Sequence, residues 1–276
     1  MTTSKSADPS AFRAFEHAGW LQVAEQYNNF FASLTGQTIG PLLDAAGVTN
    51  GARLLDVATG PGYVAAAAAQ RGASALGLDF SAAMVALARR QYPEAEFREG
   101  DAEQLPFPDG SFDAVVTNFG LLHLATPEKA LMEAHRVLRP GGRIGFTVWA
   151  RPDEAIGFQI ILQAIEQHGA TNAPLPEGPP FFRFSDPAEC HRVLQEAGFV
   201  APRTVQVPQV WRLASPDALL DAMQEGTVRT GGLLLAQPRE AQNAIQAAIR
   251  DAVKVYEKAG SIELPMAAVL ATARKP

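Results

Sequence analysis

The feature that most constrains this chain is the run Arg53-Leu54-Leu55-Asp56-Val57-Ala58-Thr59-Gly60-Pro61-Gly62. An apolar segment breaks at a Gly-Pro-Gly turn, and an alanine-rich helical stretch follows from Tyr63 to Gln70. That order puts the turn at the carboxyl end of a first strand, where open α/β sheets bind their ligands. Glycines lack a Cβ, so a ligand can approach the backbone there. The helix start adds unpaired N–H donors.

The alternation continues. Ala73–Asp79, Glu96–Glu99, Asp113–Asn118 and Arg143–Trp149 read as strands. Between them lie a helix capped by Ser81 and running to Gln91, and one capped by Thr126 that stops at Pro140-Gly141-Gly142. Such alternation predicts right-handed crossovers and a parallel sheet. Ahead of it, residues 11–46 look helical, with Trp20, Val23, Tyr27 and Phe30/Phe31 at helical spacing. Residues 1–10 read as a disordered polar tail without a signal core. After Ala150 the rhythm changes. The expectation is a helix over Ile156–His168, a proline- and aromatic-rich loop over 171–184, and a helix capped by Ser185 or Asp186. A sixth strand over Arg203–Leu213, helices over 215–260 and a final strand over Ile262–Arg274, broken at Pro265, complete the chain.

Composition excludes some functions. Among 276 residues the net charge is −6, and there is no Lys/Arg block. Nucleic acid as the main substrate is disfavoured, because phosphate binding needs a basic surface. The single cysteine, Cys190, forms no internal disulfide and fits a reducing compartment. No run reaches the length of a membrane span. The expected location is cytoplasmic, without membrane attachment.

Two cofactor readings compete at the turn. Gly60-Pro61-Gly62-Tyr63-Val64-Ala65 fits the dinucleotide fingerprint, and Asp79 ends the next strand. An NAD(P)-dependent oxidoreductase is therefore a legitimate reading. However, Asp56 sets a negative charge four residues before Gly60, which suits a cationic ammonium or sulfonium better than a pyrophosphate. Asp79 can accept both ribose hydroxyls. Asp101, after the third strand, can accept from an adenine amino group. Ribose and adenine acceptors with no basic residue for phosphate describe an adenosine lacking phosphates.

Five runs then occur in one order between residues 50 and 150: Leu54–Gly62, Gly77-Leu78-Asp79-Phe80-Ser81, Gly100–Pro108, Ser111–Val116 and Arg136-Val137-Leu138-Arg139-Pro140-Gly141-Gly142. Together they resemble the class I S-adenosylmethionine-dependent methyltransferases. The Leu105–Leu121 segment resembles the ubiquinone/menaquinone-biosynthesis C-methyltransferases and their small-molecule relatives. The resemblance implies an α/β, Rossmann-like doubly wound, mostly parallel seven-stranded sheet with its last strand antiparallel. It implies one structural domain: a helical cover (1–46), an S-adenosyl-L-methionine-binding core (47–150), and the rest of the sheet (151–276), whose insertions 151–184 and 215–260 form an acceptor-site lid.

It also implies roles. Asp56, Gly60 and Gly62 would meet the methionine moiety, Asp79 the ribose, Phe80 and Met84 the adenine side, and Asp101 and Ala102 the adenine amino edge. Asn118 would line the methionine end through its backbone, and Tyr27 would close over it. His123, just after the fourth strand, is the candidate general base; a solvent-facing or helix-capping histidine explains it as well. Phe181, Phe182, Phe184 and Trp211 either line an acceptor pocket or pack an irregular segment.

Two departures stand out. Ala58 occupies a position where the family has glycine, so φ is expected to be negative there with the methyl turned away. The 215–260 segment exceeds its counterpart in the quinone enzymes, so the resemblance implies their cofactor but does not fix their substrate. The expected partner is a small, partly hydrophobic methyl acceptor, with no metal and a monomeric or homodimeric chain. A methyltransferase-like binding protein without turnover is the third reading.

Overall fold

The structure, a computed structural model, describes residues 8–276. Most of the expected polar tail lies outside the described residues. Helix α1 spans Pro9–Thr35, opening earlier than the pattern suggested because Asp8 caps it, accepting from Ser10 N at 2.9 Å. A short 3₁₀ turn leads into α2 (Ile39–Ala45).

The alternating core follows as β1 (Arg53–Val57), α3 (Tyr63–Gln70), β2 (Ser74–Asp79), α4 (Ala82–Gln91), β3 (Glu96–Glu99), β4 (Phe112–Asn118), α5 (Pro127–Val137) and β5 (Leu138–Trp149). Leu54, Leu55, Asp56 and Val57 of β1 are all buried. Burial of successive residues, which face opposite sides of a strand, marks a strand covered on both faces, as parallel sheets are. Ser81 caps α4 as expected. Thr126 holds the cap position of α5, but its side chain makes no cap bond. The chain leaves α5 at Leu138, sooner than expected, because Arg139 precedes Pro140 and is pushed out of the helical region.

The remainder comprises α6 (Ile156–His168), α7 (Pro187–Glu196, capped by Asp186), β6 (Val200–Val207), β7 (Val210–Leu213), α8 (Ala218–Glu225), α9 (Arg229–Leu235), α10 (Arg239–Val253), β8 (Glu257–Lys258), β9 (Ser261–Pro265) and β10 (Ala268–Arg274). The main sheet has seven strands in the order β3-β2-β1-β4-β5-β10-β6, with β10 antiparallel to both neighbours. A second sheet has the order β7-β9-β8.

The single strand expected over 203–213 is two strands that change sheet, and the final strand over 262–274 breaks at Pro265 as expected, its halves lying in different sheets. β6 ends just before Pro208, and β9 ends at Pro265, where Val210 pairs with it. A proline has no N–H to give a ladder, so both segments leave their sheets where the ladder cannot continue.

Candidate functional site

The site lies beyond the carboxyl ends of β1, β2 and β4. The turn after β1 is left-handed at three residues, Ala58 (φ +52°), Gly60 (+54°) and Gly62 (+90°), and of these only Ala58 is strained. The negative φ expected at Ala58 is therefore overturned. Its left-handed conformation is tolerated because a glycine, Gly120, faces its methyl group. Phe119, directly after β4, also has positive φ, at +57°. Such outliers concentrate where surrounding structure holds a ligand site in shape.

One cavity with an empty volume of about 720 Å³ opens here. Tyr27, Gly60, Asp79, Phe80, Met84, Asp101, Ala102, Asn118 and His123 line it, so nine of the eleven sequence-predicted positions converge. Asp56 and Gly62 do not line it. Asp56 is 1% exposed and lies behind the turn, where its Oδ2 accepts from Thr59 Oγ1 (2.5 Å) and Ala65 N (3.1 Å). Its Oδ1 is buried without a partner. A Cβ at Gly62 would lie 2.7 Å from Phe97 Cζ, so this glycine serves close packing of α3 on the sheet. At Gly60 a Cβ would meet nothing within 4 Å, which leaves open space for a ligand.

Asp79 is the best-held carboxylate in the lining. Oδ1 accepts from Ser81 N at 2.9 Å and Oδ2 from Gly60 N at 2.8 Å. Each oxygen keeps a lone pair for a further donor, as a pair of ribose hydroxyls requires. Burial pushes Asp79 up to about 6 and Asp56 up to about 7. Burial likewise pushes the Tyr27 phenol up to about 12. The Asn118 side chain is held on both sides: Oδ1 accepts from Thr38 Oγ1 and Thr147 Oγ1, and Nδ2 donates to Thr35 O.

Among the members that sequence reasoning missed are three on α1. Arg13 lines the cavity and pairs with Asp101 at 2.7 Å, so the site is not devoid of basic residues. Trp20 stacks edge-on against Tyr27 and His123. Glu16 is fully buried: its Oε2 accepts from Trp20 Nε1 at 2.9 Å and lies 3.1 Å from His123 Nδ1. These residues sit on α1, far from the motif runs, where helical spacing reads the same for core and site.

A second, smaller cavity adjoins the first and shares Trp20, Tyr27, Phe119 and His123 with it. Trp149, Phe158, Phe181 and Arg229 add to its walls. Of the other suspected pocket aromatics, Phe182 packs on Phe158 and Phe181, Phe184 is buried near Phe146, and Trp211 is core. Among the described residues no cluster of side chains has metal-ligating composition. None of the described helices is long and apolar enough to cross a membrane.

The strand order, the strained turn and the carboxylates at the ends of β2 and β3 define a class I methyltransferase architecture. Residues 55–146 match the family described as methyltransferase domain. A demethylmenaquinone methyltransferase of Renibacterium salmoninarum is 42% identical over 111 residues, 40% of this chain and 47% of that protein. The chain thus matches about half the length of such relatives. The fold extends further. Phosphoethanolamine N-methyltransferase 2 of Haemonchus contortus, solved with S-adenosylhomocysteine, superposes with a TM-score of 0.61 over 96% of this chain and 60% of its own, at 18% identity. The YcgJ protein of Bacillus subtilis gives 0.58 over 86% of this chain and 97% of its own, at 21% identity.

Proposed function

We propose that the protein transfers a methyl group from S-adenosyl-L-methionine to a small, partly hydrophobic acceptor. The observation that carries this reading is the wall shared by two cavities. A slot edged by Asp79 and Asp101 and a smaller aromatic cavity are lined in common by Trp20, Tyr27, Phe119 and His123.

Bound S-adenosyl-L-methionine would supply an electrophilic methyl group on a sulfonium. The chain's residues would then do the rest. Asp79 accepts the ribose hydroxyls. Phe80 and Met84 cover the adenosine, and Asp101 with Ala102 meets the adenine edge. Gly60 and the backbone at Asn118 flank the methionine part. Asp56, behind the turn, keeps Thr59 and the start of α3 in place. The aromatic walls hold the acceptor and exclude water. Positioning of this kind supplies roughly 7–11 kcal/mol in favourable cases. Where the acceptor must lose a proton, His123 takes it: Nδ1 faces the Glu16 carboxylate and carries the hydrogen, leaving the Nε2 lone pair as base.

Residues 11–46, 151–184 and 215–260 would form the cover over the sheet edge. Chamber residues Trp20, Phe158, Phe181 and Arg229 lie outside the matched 55–146 segment. The relatives' name supports a quinone as one acceptor class, but the chamber walls belong to this chain. We further place the protein in the cytoplasm as a monomer or homodimer, acting on small molecules rather than nucleic acid.

Calorimetry with S-adenosyl-L-methionine and with NAD tests the reading. Binding of the first and not the second is expected. NAD binding alone would establish the oxidoreductase instead. Asp79→Ala should weaken S-adenosyl-L-methionine binding more than tenfold, about 1.4 kcal/mol. An unchanged dissociation constant removes Asp79 from the ribose role.

A further inference from the structure

Arg229 is the permanently charged residue in the wall of the aromatic chamber. It stands at the start of α9, half-buried. Its Nη1 donates to Pro179 O at 2.9 Å. Its guanidinium carbon lies 5.4 Å from the Phe181 ring centre and 5.2 Å from that of Phe12. A guanidinium carries five N–H donors, and most of these are left over. Among the described residues Arg229 forms no ion pair within 4.0 Å. Burial pulls its pKa down, and the only charge acting against that is Glu16. Glu16 Oε2 serves both Trp20 and His123 and its Oε1 is buried without a partner, but among the described residues neither oxygen lies within 4.0 Å of a guanidinium nitrogen of Arg229.

Removing a guanidinium from water without a counter-charge in contact with it is unfavourable. Packing alone would be served by an apolar side chain at this position. The remaining donors sit in the wall of a chamber otherwise built of aromatic rings and two threonines, Thr227 and Thr230. What is missing is an anion that arrives with a ring.

We propose that Arg229 selects the acceptor, which is a flat aromatic ring bearing an anionic oxygen that pairs with the guanidinium while the ring packs among Trp149, Phe158 and Phe181. This deepens the methyl-transfer reading and rests on it for the fate of the bound ring. The recognition itself is a binding property and is testable without turnover. A bidentate arginine–oxyanion contact in a partly desolvated wall is stronger than its surface equivalent.

The probes are 1-naphthoate and the neutral 1-naphthamide, titrated calorimetrically into the full chain with and without S-adenosylhomocysteine. The native protein should bind the naphthoate at least tenfold more tightly than the amide. Arg229→Gln should remove that preference while leaving the amide affinity and the S-adenosylhomocysteine affinity unchanged. Arg229→Met, which keeps a stem against Phe12 and Phe181 without charge, reads the same quantity should the glutamine variant not fold. Equal affinities in the native protein, no naphthoate binding at millimolar concentration, or a preference that survives both substitutions overturns the proposal. An Arg229-dependent preference without S-adenosylhomocysteine binding would sink the methyl-transfer reading and leave the anion site standing. S-adenosylhomocysteine binding without the preference would do the reverse.

Discussion

Ala58 and Gly120 form a matched pair across the turn after β1: a Cβ placed on Gly120 would lie 2.6 Å from the Ala58 methyl carbon. Ala58 holds φ +52° with a side chain, at a penalty of about 1–2 kcal/mol. Replacing it with glycine removes that strain but loosens the unfolded chain by about 0.4–1 kcal/mol. Ala58→Gly is thus expected to stabilise by up to about 1 kcal/mol. Gly120→Ala is expected to destabilise by about 1–3 kcal/mol through overpacking. The double variant should recover part of that loss. Recovery stays incomplete because Thr117 Oγ1 lies 2.5 Å from the same Cβ position. Denaturant titrations of the four proteins give the coupling; strict additivity would show that the methyl groups do not compete.

The two turn glycines should separate by what each does. Gly62 has φ +90° and no room for a Cβ, which would meet Phe97 Cζ at 2.7 Å and Ala88 Cβ at 3.0 Å. Gly60 has φ +54° and open space. Gly62→Ala is expected to lower stability by about 2–4 kcal/mol, from strain plus overpacking. Gly60→Ala is expected to lower it by about 1–2 kcal/mol, yet to weaken S-adenosylhomocysteine binding the more of the two in the protein that remains folded. Thermal melts and calorimetry on the same preparations check the crossing. A binding defect larger for Gly62→Ala would place the ligand on the wrong glycine.

Much of this site is legible in the sequence because its ligand-facing groups sit at strand ends. Asp79, Asp101 and Asn118 each close or follow a strand that hydrophobic patterning marks, and topology then brings them to one edge. Asp56 and Gly62 belong to the same runs but face inward. A motif records that a residue is needed, not whether ligand or helix needs it. The α1 members were out of reach: Glu16 is four residues before Trp20 on one helical face, a spacing that any buried helix shows. The sheet changes at Pro208 and Pro265 depend on where a second sheet forms, which no local pattern encodes.

Glu16 and His123 should act as one unit. Their side chains meet at 3.1 Å, with Trp20 Nε1 holding the same carboxylate oxygen. For an acceptor that loses a proton, found by a labelled-methyl screen, His123→Ala should lower kcat by about 10²–10⁴-fold. Glu16→Gln, which keeps the shape but not the charge, should lower kcat by roughly tenfold and leave KM unchanged, because the glutamate orients the base rather than the substrate. The double variant should be no slower than His123→Ala. Multiplying defects, or a change confined to KM, would dissociate the pair.

The buried Asp56 makes stability depend on pH in an unusual direction. Burial raises it from the ordinary 3.8 to about 7. A carboxyl whose native pKa is raised binds its proton more tightly in the folded state. The native protein is therefore spared a penalty below about pH 4 and acquires it as pH rises to about 7. Asp113 and Glu189, held down to about 2 with arginine partners, act oppositely, adding stability that is lost as pH falls. Those two contribute equally to any Asp56 variant and cancel in the difference. Asp56→Asn places a neutral group on the same carbon frame, with its oxygen able to take the bonds from Thr59 and Ala65. Relative to the native chain, the variant should gain roughly 2–4 kcal/mol between about pH 5 and about pH 8 in the absence of ligand. Urea unfolding of both proteins at the two pH values measures this. A difference that stays constant with pH would mean that Asp56 ionises normally behind the turn.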